Sequence, residues 1–246
     1  MTDPVSTTGG LRPYASSRRN PLVGFVSTPI RHRHLIFRLI QREIVGRYRG
    51  FALILFSGLI VHGLLAECIN RSPGLITGNA NYVKKMVFPL EIYAWVTVGS
   101  AVFHAGISWL VLTIAQVCMG VPLPWTAVLF PVVMIPLLLG CLGVSWFLSA
   151  LGVYFRDIVQ ITGTLSTLLL FLSPVFYALD SIPPKYRPLI EMNPLTGVLE
   201  SARKVLMFGE LPSISNLLIG SLIGLAVAYV GYFFFQKSRD GFADVI

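Results

Sequence analysis

The fold is decided by the stretch IYAWVTVGSAVFHAGISWLVLTIAQVCMGVPLPWTAVLFPVVMIPLLLGCLGVSWFLSALGVYF (Ile92–Phe155), where 64 consecutive residues include no Asp, Glu, Lys or Arg. A membrane-spanning helix needs about 20 largely apolar residues, so this stretch has room for two. Three shorter runs, 51–66, 158–179 and 211–236, also lack these four residue types. The pattern predicts an all-α integral membrane protein that crosses the bilayer several times.

Composition agrees with that class. The chain is 54% hydrophobic and only 12% charged, whereas soluble domains carry roughly 25% charged residues. The net charge of +8 invites a nucleic-acid interpretation. However, nine of the 19 basic residues lie in the first 50, next to a membrane run, where such residues set topology or contact anionic lipid. We therefore expect membrane lipids and no nucleic acid as partners.

The chain divides into three regions. Residues 1–28, rich in Ser, Thr, Gly and Pro, are predicted to form a disordered cytoplasmic arm. Residues 29–50 predict an amphipathic helix, because Arg38, Arg42 and Arg49 fall within about 40° of one another at 100° per residue. A transmembrane domain follows over 51–246. Its predicted spans are about 51–67, 94–119, 126–153, 158–179 and 215–236.

The segment 180–212 is too charged to span and too apolar for an ordinary loop. Asn193 and Pro194 form a helix-start signal, the Asn as N-cap and the Pro at the first helical position. Apolar residues then recur at helical spacing, and Gly209 suits the position after the helix. We expect a short amphipathic helix over 194–208 that lies at the membrane surface or dips into it.

The charges and the spans disagree about topology. The positive-inside rule places the basic N-terminus, the Lys84-Lys85 loop, the Arg156 loop and the C-terminal tail in the cytoplasm. From residue 75 onward the predicted spans alternate correctly. Only one span, 51–67, separates the N-terminus from Lys84, and an even number is required. Either the N-terminus is outside, or 51–66 is a re-entrant hairpin, or a span is missing.

Few residues suggest chemistry. The chain has no G-x-x-x-x-G-K-[ST] phosphate loop, no paired metal-ligand spacing and no catalytic constellation. His62 and His104 lie in predicted spans, where an ionisable group is a candidate functional residue, although a neutral His bonded to a neighbouring helix is the simpler interpretation. Glu67 and Arg71 are spaced for a local ion pair. Gly220 and Gly224 have the spacing of a close helix contact.

Several strings together resemble a known family. They are LIFRLIQREIVGRYRG (35–50), GLIVHGLLAECINRSPGLI (58–76), NANYVKKMVFPLEIY (79–93), GVYFRDI (152–158), LSPVFYALDSIPPKYRPLIEMNPL (172–195) and GFADVI (241–246). In this order they resemble the permease subunit of ABC-2 type exporters, in the branch that exports O-antigen or lipopolysaccharide. The resemblance implies the family's fold, with an N-terminal interface helix, six spans and external re-entrant gate helices, here over 174–208.

The resemblance also implies roles for individual residues. Residues 29–50 would be the cytoplasmic interface helix, and 79–93 would contain the coupling helix that seats in a separate ATPase subunit. The implied interface-helix residues are Arg38, Arg42, Glu43, Arg47 and Arg49. The implied ATPase-coupling residues are Lys84, Lys85, Phe88, Pro89 and Glu91. Candidate substrate-conduit or gate residues are Phe103, Trp109, Trp146, Phe171, Phe176, Tyr177, Asn193 and Pro194.

The implied function is ATP-driven export of a lipid-linked polysaccharide across the inner (cytoplasmic) membrane. The assembly would contain two permeases and two ATP-binding subunits. This chain would have no catalytic residue, metal site or cofactor of its own, because ATP and Mg²⁺ would bind the partner. A capsule polysaccharide or teichoic acid as substrate, and a membrane-embedded lipid- or glycan-modifying enzyme, are the alternatives.

The sequence departs from the family at one place. Family members carry a first span after the RYRG string, whereas here Gly50 runs directly into Phe51, which resembles the start of the family's second span. Some thirty residues, about the length of one span with its flanks, are absent. This departure coincides with the topological conflict and puts transport competence in question, because the first span helps to line the family's conduit.

Overall fold

A computed structural model describes residues 33–79, 89–177 and 179–245, with the backbone alone at 40–49, 180, 189, 243 and 244. The chain forms two compact units, 1–48 and 49–246. In the first unit the described backbone is helical from Arg33, and the side chains of 33–39, including Arg38, are exposed. The predicted arm 1–28, and the side chains of Arg42, Glu43, Arg47 and Arg49, lie outside the described residues.

Helices account for most of the described chain, and no strand occurs in it. They are α1 (Arg33–Arg71), α2 (Ile92–Cys118), α3 (Phe130–Tyr154), α4 (Ile158–Leu172), α5 (Arg187–Glu191), α6 (Pro194–Arg203), α7 (Ile214–Arg239) and α8 (Phe242–Val245). Short 3₁₀ turns cover Ser72–Gly74, Thr77–Asn79, Trp125–Leu129 and Leu179–Ser181, and a π-helical turn covers Lys204–Phe208. The all-α prediction is confirmed.

Among the residues that the structure describes, four stretches are long and apolar enough to cross a membrane: Gly50–Gly74, Ile92–Cys118, Trp125–Tyr154 and Ile214–Arg239. The fourth predicted span, 158–179, is not among these four stretches. Its helix α4 has only 15 residues and ends at Leu172. Ser173 is extended, with ψ 149°, because the ring of Pro174 disfavours a helical conformation in the residue before it.

The first membrane stretch is one helix. Within the second unit α1 continues without a break to Arg71, so 51–66 does not form the re-entrant hairpin that was one solution of the topological conflict. Near its start, the Ile54 carbonyl contacts Arg203. Near its end, the backbone of Pro73 lies so close to Gly152 that a Cβ on this glycine would collide with it. The stretch therefore passes from one end of the bundle to the other.

Helices α3 and α7 form the central contact of the bundle, and glycines set their distance. A Cβ on Gly231 would collide with the Gly143 carbonyl, and a Cβ on Gly224 would lie 2.5 Å from the Pro136 carbonyl oxygen. Gly220 meets the Pro136 ring. The close contact predicted for Gly220 and Gly224 is thus present, and it continues two turns further along the same face of α7 to Gly231.

The segment after α5 is hydrogen-bonded to the end of the bundle where α2 ends and α3 begins. The Asn193 side chain caps α6 by accepting from the Leu195 amide at 3.0 Å, as the Asn-Pro signal predicts. The Thr126 hydroxyl donates to the Val205 carbonyl at 2.7 Å. Gly209 ends the helical stretch in the left-handed conformation, with φ 70°. The predicted helix 194–208 therefore exists, as α6 and its π-helical turn.

One buried cation joins this segment to the helix break. The Arg203 side chain is 2% exposed, and its guanidinium donates to the carbonyl oxygens of Pro174 at 2.7 Å, Val175 at 2.9 Å and Tyr177 at 3.0 Å. It also pairs with Glu200 at 3.0 Å. Burial lowers the pKa of Arg203 from its ordinary value, and the Glu200 charge opposes that shift. The guanidinium nevertheless stays charged at neutral pH.

Replacing Gly231 by Ala tests the α3–α7 contact. Because the new Cβ would meet the Gly143 backbone, we expect the free energy of unfolding to fall by about 1–3 kcal/mol, the usual cost of overpacking. Equilibrium unfolding in mixed micelles measures it. Gly99→Ala, with open space around its Cβ, is the matched control and should not destabilise. Equal behaviour of the two variants would contradict the packing assignment.

Replacing Arg203 by Met tests the buried cation. The change leaves three carbonyl oxygens and Glu200 without their donor, so we expect a loss of about 3–5 kcal/mol in the same unfolding measurement. Lys204→Met is the control, because Lys204 is exposed and forms a long ion pair, at 3.7 Å, with exposed Glu210. This variant should change the free energy of unfolding by no more than about 0.5 kcal/mol. A stable Arg203→Met variant would show that the carbonyls find other donors.

Candidate functional site

The end of the bundle nearest the predicted coupling segment is organised around Glu91. Its carboxylate accepts from the Arg239 guanidinium at 3.3 Å, and its backbone carbonyl accepts from the Trp146 indole at 3.1 Å. Glu91 precedes α2, Trp146 belongs to α3 and Arg239 ends α7. Glu91, which the family resemblance assigns to the ATPase contact, thus connects the start of α2 with the interior of α3 and the end of α7. We call Glu91, Trp146 and Arg239 the Glu91 clasp.

Aromatic packing fixes the indole of the clasp. Trp146 is 7% exposed and packs edge-on against Trp95 of α2 and Tyr232 of α7, with ring centroids 6.1 Å and 5.0 Å apart. Such edge-to-face pairs contribute beyond the area they bury. Trp146 was a conduit candidate on sequence grounds. In the structure it joins helices at the clasp, and a role in a conduit stays a prediction.

The C-terminal residues fold back onto the same end. Phe242 is fully buried, with its ring centroid 5.5 Å from that of Phe235 and 6.1 Å from that of Tyr154. The Tyr154 hydroxyl donates to the Ser238 carbonyl at 2.8 Å. The GFADVI string therefore supplies a packing residue that holds the ends of α3 and α7 together beside the clasp.

Of the other predicted coupling residues, Lys84, Lys85 and Phe88 lie outside the described residues. Pro89 is exposed beside buried Leu90. Ile92 is exposed too. The described part of the coupling segment thus offers two exposed positions on either side of buried Leu90, an arrangement suited to contact with another chain.

A cavity of about 720 Å³ opens at the opposite end. Apolar residues of α3 and α7, such as Leu137 and Ile223, line its interior, while Asn193, Pro194 and Lys204 line it beside α6. Two predicted gate residues, Asn193 and Pro194, therefore border an apolar space with a polar margin. An amphiphile's tail fits such a space better than a bare sugar.

The structure does not bring the aromatic conduit candidates into one cluster. Phe171 and Phe176 are neighbours, with ring centroids 5.8 Å apart, and Tyr177 follows them at the helix break. Trp109 stacks on Phe130 at 5.6 Å, while Phe103 is 67% exposed on α2. Whether any of them contacts substrate stays a prediction.

A polar cluster between α1 and α2 escaped the sequence analysis. The predicted Glu67–Arg71 pair is present at 2.7 Å, and His104 Nδ1 lies 2.9 Å from the other Glu67 oxygen. Arg71 also donates to the Ser100 hydroxyl at 3.0 Å. The neighbouring-helix partner expected for His104 is therefore a carboxylate. Buried His62 has no partner for its Nδ1 among the described residues.

Nothing in the described ranges resembles an enzyme's metal centre, because no group of three or more His, Cys, Asp or Glu side chains gathers there. The cysteines that the structure describes are all free thiols. The polar features of the described chain are helix-joining bonds, one cavity margin and the α1–α2 cluster.

Comparison with known proteins shows which family the chain resembles. The family model described as "ABC-2 type transporter" matches residues 20–207. The O-antigen export system permease protein RfbA of Myxococcus xanthus is 22% identical over 260 residues, covering 92% of this chain and all of the relative. Two proteins of the same name from Klebsiella pneumoniae are 28% and 27% identical over 215 residues, covering 87% of this chain and 81% of each relative.

The family match covers well over half of the 246 residues, and it includes α1 to α6 with the Glu91 end of α2. The all-helical fold and its membrane-crossing helices agree with it. The chain belongs to the ABC-2 type transporter family.

Proposed function

We propose that this chain is the membrane subunit of an ATP-driven exporter that moves a lipid-linked polysaccharide of the O-antigen type outward across the inner membrane. The Glu91 clasp carries the proposal, because it ties the predicted coupling segment to α2, α3 and α7. The relatives named as O-antigen export permeases supply the substrate class. ATP and Mg²⁺ would bind a separate partner, and two copies of each subunit would form the exporter.

The mechanism follows from the clasp. A force applied to the coupling segment by an ATPase would reach Glu91 first. Arg239 would pass it to α7, and Trp146 would pass it to α3, whose glycine contacts with α7 leave little room for slippage. The two helices would then move as one body. At the far end that body meets α6 through Thr126 and the cavity margin, so movement at the ATPase would alter the external segment.

The first test is genetic and biochemical. Deleting the gene should abolish the surface polysaccharide, and the full chain should co-purify with an ATPase that carries a phosphate-binding loop. Immunoblotting of surface glycan and affinity purification measure the two outcomes. Unchanged glycan together with a chain that purifies alone would contradict the proposal. Chemistry on lipid by the purified chain without ATP would favour the membrane-enzyme alternative instead.

The clasp itself gives a second test. Glu91→Gln and Arg239→Gln should each lower glycan export and substrate-stimulated ATP hydrolysis about fivefold, the effect of losing roughly 1 kcal/mol from a half-exposed pair. Co-purification of the ATPase should persist, because the exposed contact surface is intact. Exchanging the charges, with Glu91→Arg combined with Arg239→Glu, should restore part of the activity.

Glu210→Gln serves as the control for these variants. It breaks the exposed Lys204–Glu210 pair in the segment after α6, far along the chain from the clasp. Export should be unaffected. If the clasp variants also export normally, force does not pass through Glu91.

A further inference from the structure

The α1–α2 cluster of Glu67, Arg71, Ser100 and His104 lies within two membrane-crossing stretches. His104 is one residue from the middle of Ile92–Cys118, and Glu67 is seven residues, about 10 Å of helix, before the end of Gly50–Gly74. Yet the side chains of His104 and Arg71 are 59% and 47% exposed. Ionisable groups exposed to hydrocarbon are costly and rare. Arg71, three residues before the end of its stretch, can extend its side chain to the lipid headgroups. His104 lies deep in its helix, so its exposed ring needs a polar partner.

Arg71 holds most of the unused donor capacity of the cluster. Both oxygens of Glu67 already have partners, because one accepts from Arg71 and both lie within 3.1 Å of His104 Nδ1. Arg71 uses only Nη1, for Glu67 and Ser100. Its other guanidinium nitrogens and His104 Nε2 contact no partner within 33–79, 89–177 and 179–245. With Nδ1 donating to Glu67, Nε2 is a second donor in the imidazolium form of His104, which is the form that would bind an anion. The missing partner must supply acceptors, and a negative charge suits a guanidinium best.

A second copy of this chain is a poor source of those acceptors. The whole of α2 contains no Asp or Glu, and Glu67 is the only acidic residue between Phe51 and Gly74. A two-fold contact across this face would present the same donors to each other. A phosphate, by contrast, offers several acceptor oxygens and can bind a guanidinium in bidentate fashion.

We propose that Arg71 and His104 bind the phosphate group of a lipid, with Ser100 and Glu67 holding the two donors in position. The position within the spans selects a lipid phosphate over a soluble one, because the ligand must reach the cluster from the bilayer. This inference rests on the proposed export function for its biological ligand, the phosphate-linked head of the exported glycolipid. The binding itself is a property of the cluster.

Binding to the purified full chain tests the proposal directly. The probes are farnesyl diphosphate, farnesol, which has the same tail without phosphate, and inorganic pyrophosphate, titrated in detergent by native mass spectrometry. Farnesyl diphosphate should bind more tightly than either of the others. Arg71→Gln and His104→Gln should each weaken it about tenfold, the loss expected for a charge-assisted hydrogen bond. Because His104 is exposed, its variant should fold even if Arg71→Gln does not.

Arg156→Gln is the matched control, since it removes an exposed arginine from the loop between α3 and α4. It should bind the probe as the unmodified chain does. The proposal is overturned if the cluster variants bind normally, or if farnesol or pyrophosphate binds as tightly as farnesyl diphosphate. A change in dimer content without a change in probe binding would instead assign the face to a second copy.

Export assays separate this inference from the proposed function. In a deletion strain complemented with the variants, loss of surface glycan with His104→Gln but not with Arg156→Gln supports the site. If deletion removes the glycan while both variants restore it fully, export stands and the phosphate site is wrong. If deletion leaves the glycan unchanged while the probe still binds through His104, the site stands and the export function is wrong.

Discussion

Backbone carbonyls that lose their helical partners inside a membrane protein must find donors, because hydrocarbon provides none. The break after α4 creates this problem at Pro174, Val175 and Tyr177, and the guanidinium of Arg203 solves it with three bonds. A single residue of the segment after α5 thereby determines where the broken helix sits. The Asn193 amide adds a second bond between α6 and the break, because it donates to the Ser173 hydroxyl at 2.9 Å. The cost of burying a cation is offset because the same side chain satisfies three carbonyls and one carboxylate.

The bundle is closely packed in its middle, and different polar bonds join its helices at its two ends. Glycine contacts between α3 and α7, at Gly224 and Gly231, let backbone lie against backbone at these positions. At one end, Glu91 is held by a charge and an indole. At the other, α6 is held by hydroxyl-to-carbonyl bonds such as Thr126 to Val205. The proposed transmission of movement from the coupling segment to the external segment needs a connection of this kind between the two ends.

Local signals in the sequence predicted local structure well. Uncharged runs predicted all four membrane stretches of the described residues, and Asn193-Pro194 predicted the start of α6. Gly209 predicted the end of the π-helical turn that follows α6. Partners distant in the chain were not predictable. His104 lies 37 residues from Glu67, and Arg203 lies 29 residues from Pro174, so no helical spacing links them. The length of α4 was overestimated because composition continues past Ser173, whereas the proline ends the helix there.

The single helix α1 in the second unit reduces the number of explanations for the topological conflict from three to two. Because the stretch from Ile54 to Pro73 crosses the bundle once, 51–66 is not a hairpin. The two remaining explanations are an external N-terminus and a missing span. The alignment with the Myxococcus relative runs over 260 residues, whereas 92% of this chain is about 226 residues, so about 34 aligned positions in total have no counterpart here. The Klebsiella alignments run over 215 residues, and 87% of this chain is about 214, so they contain almost no such positions. A missing first span therefore stays a prediction, which would reconcile the positions of the basic residues with the six spans that the family resemblance implies.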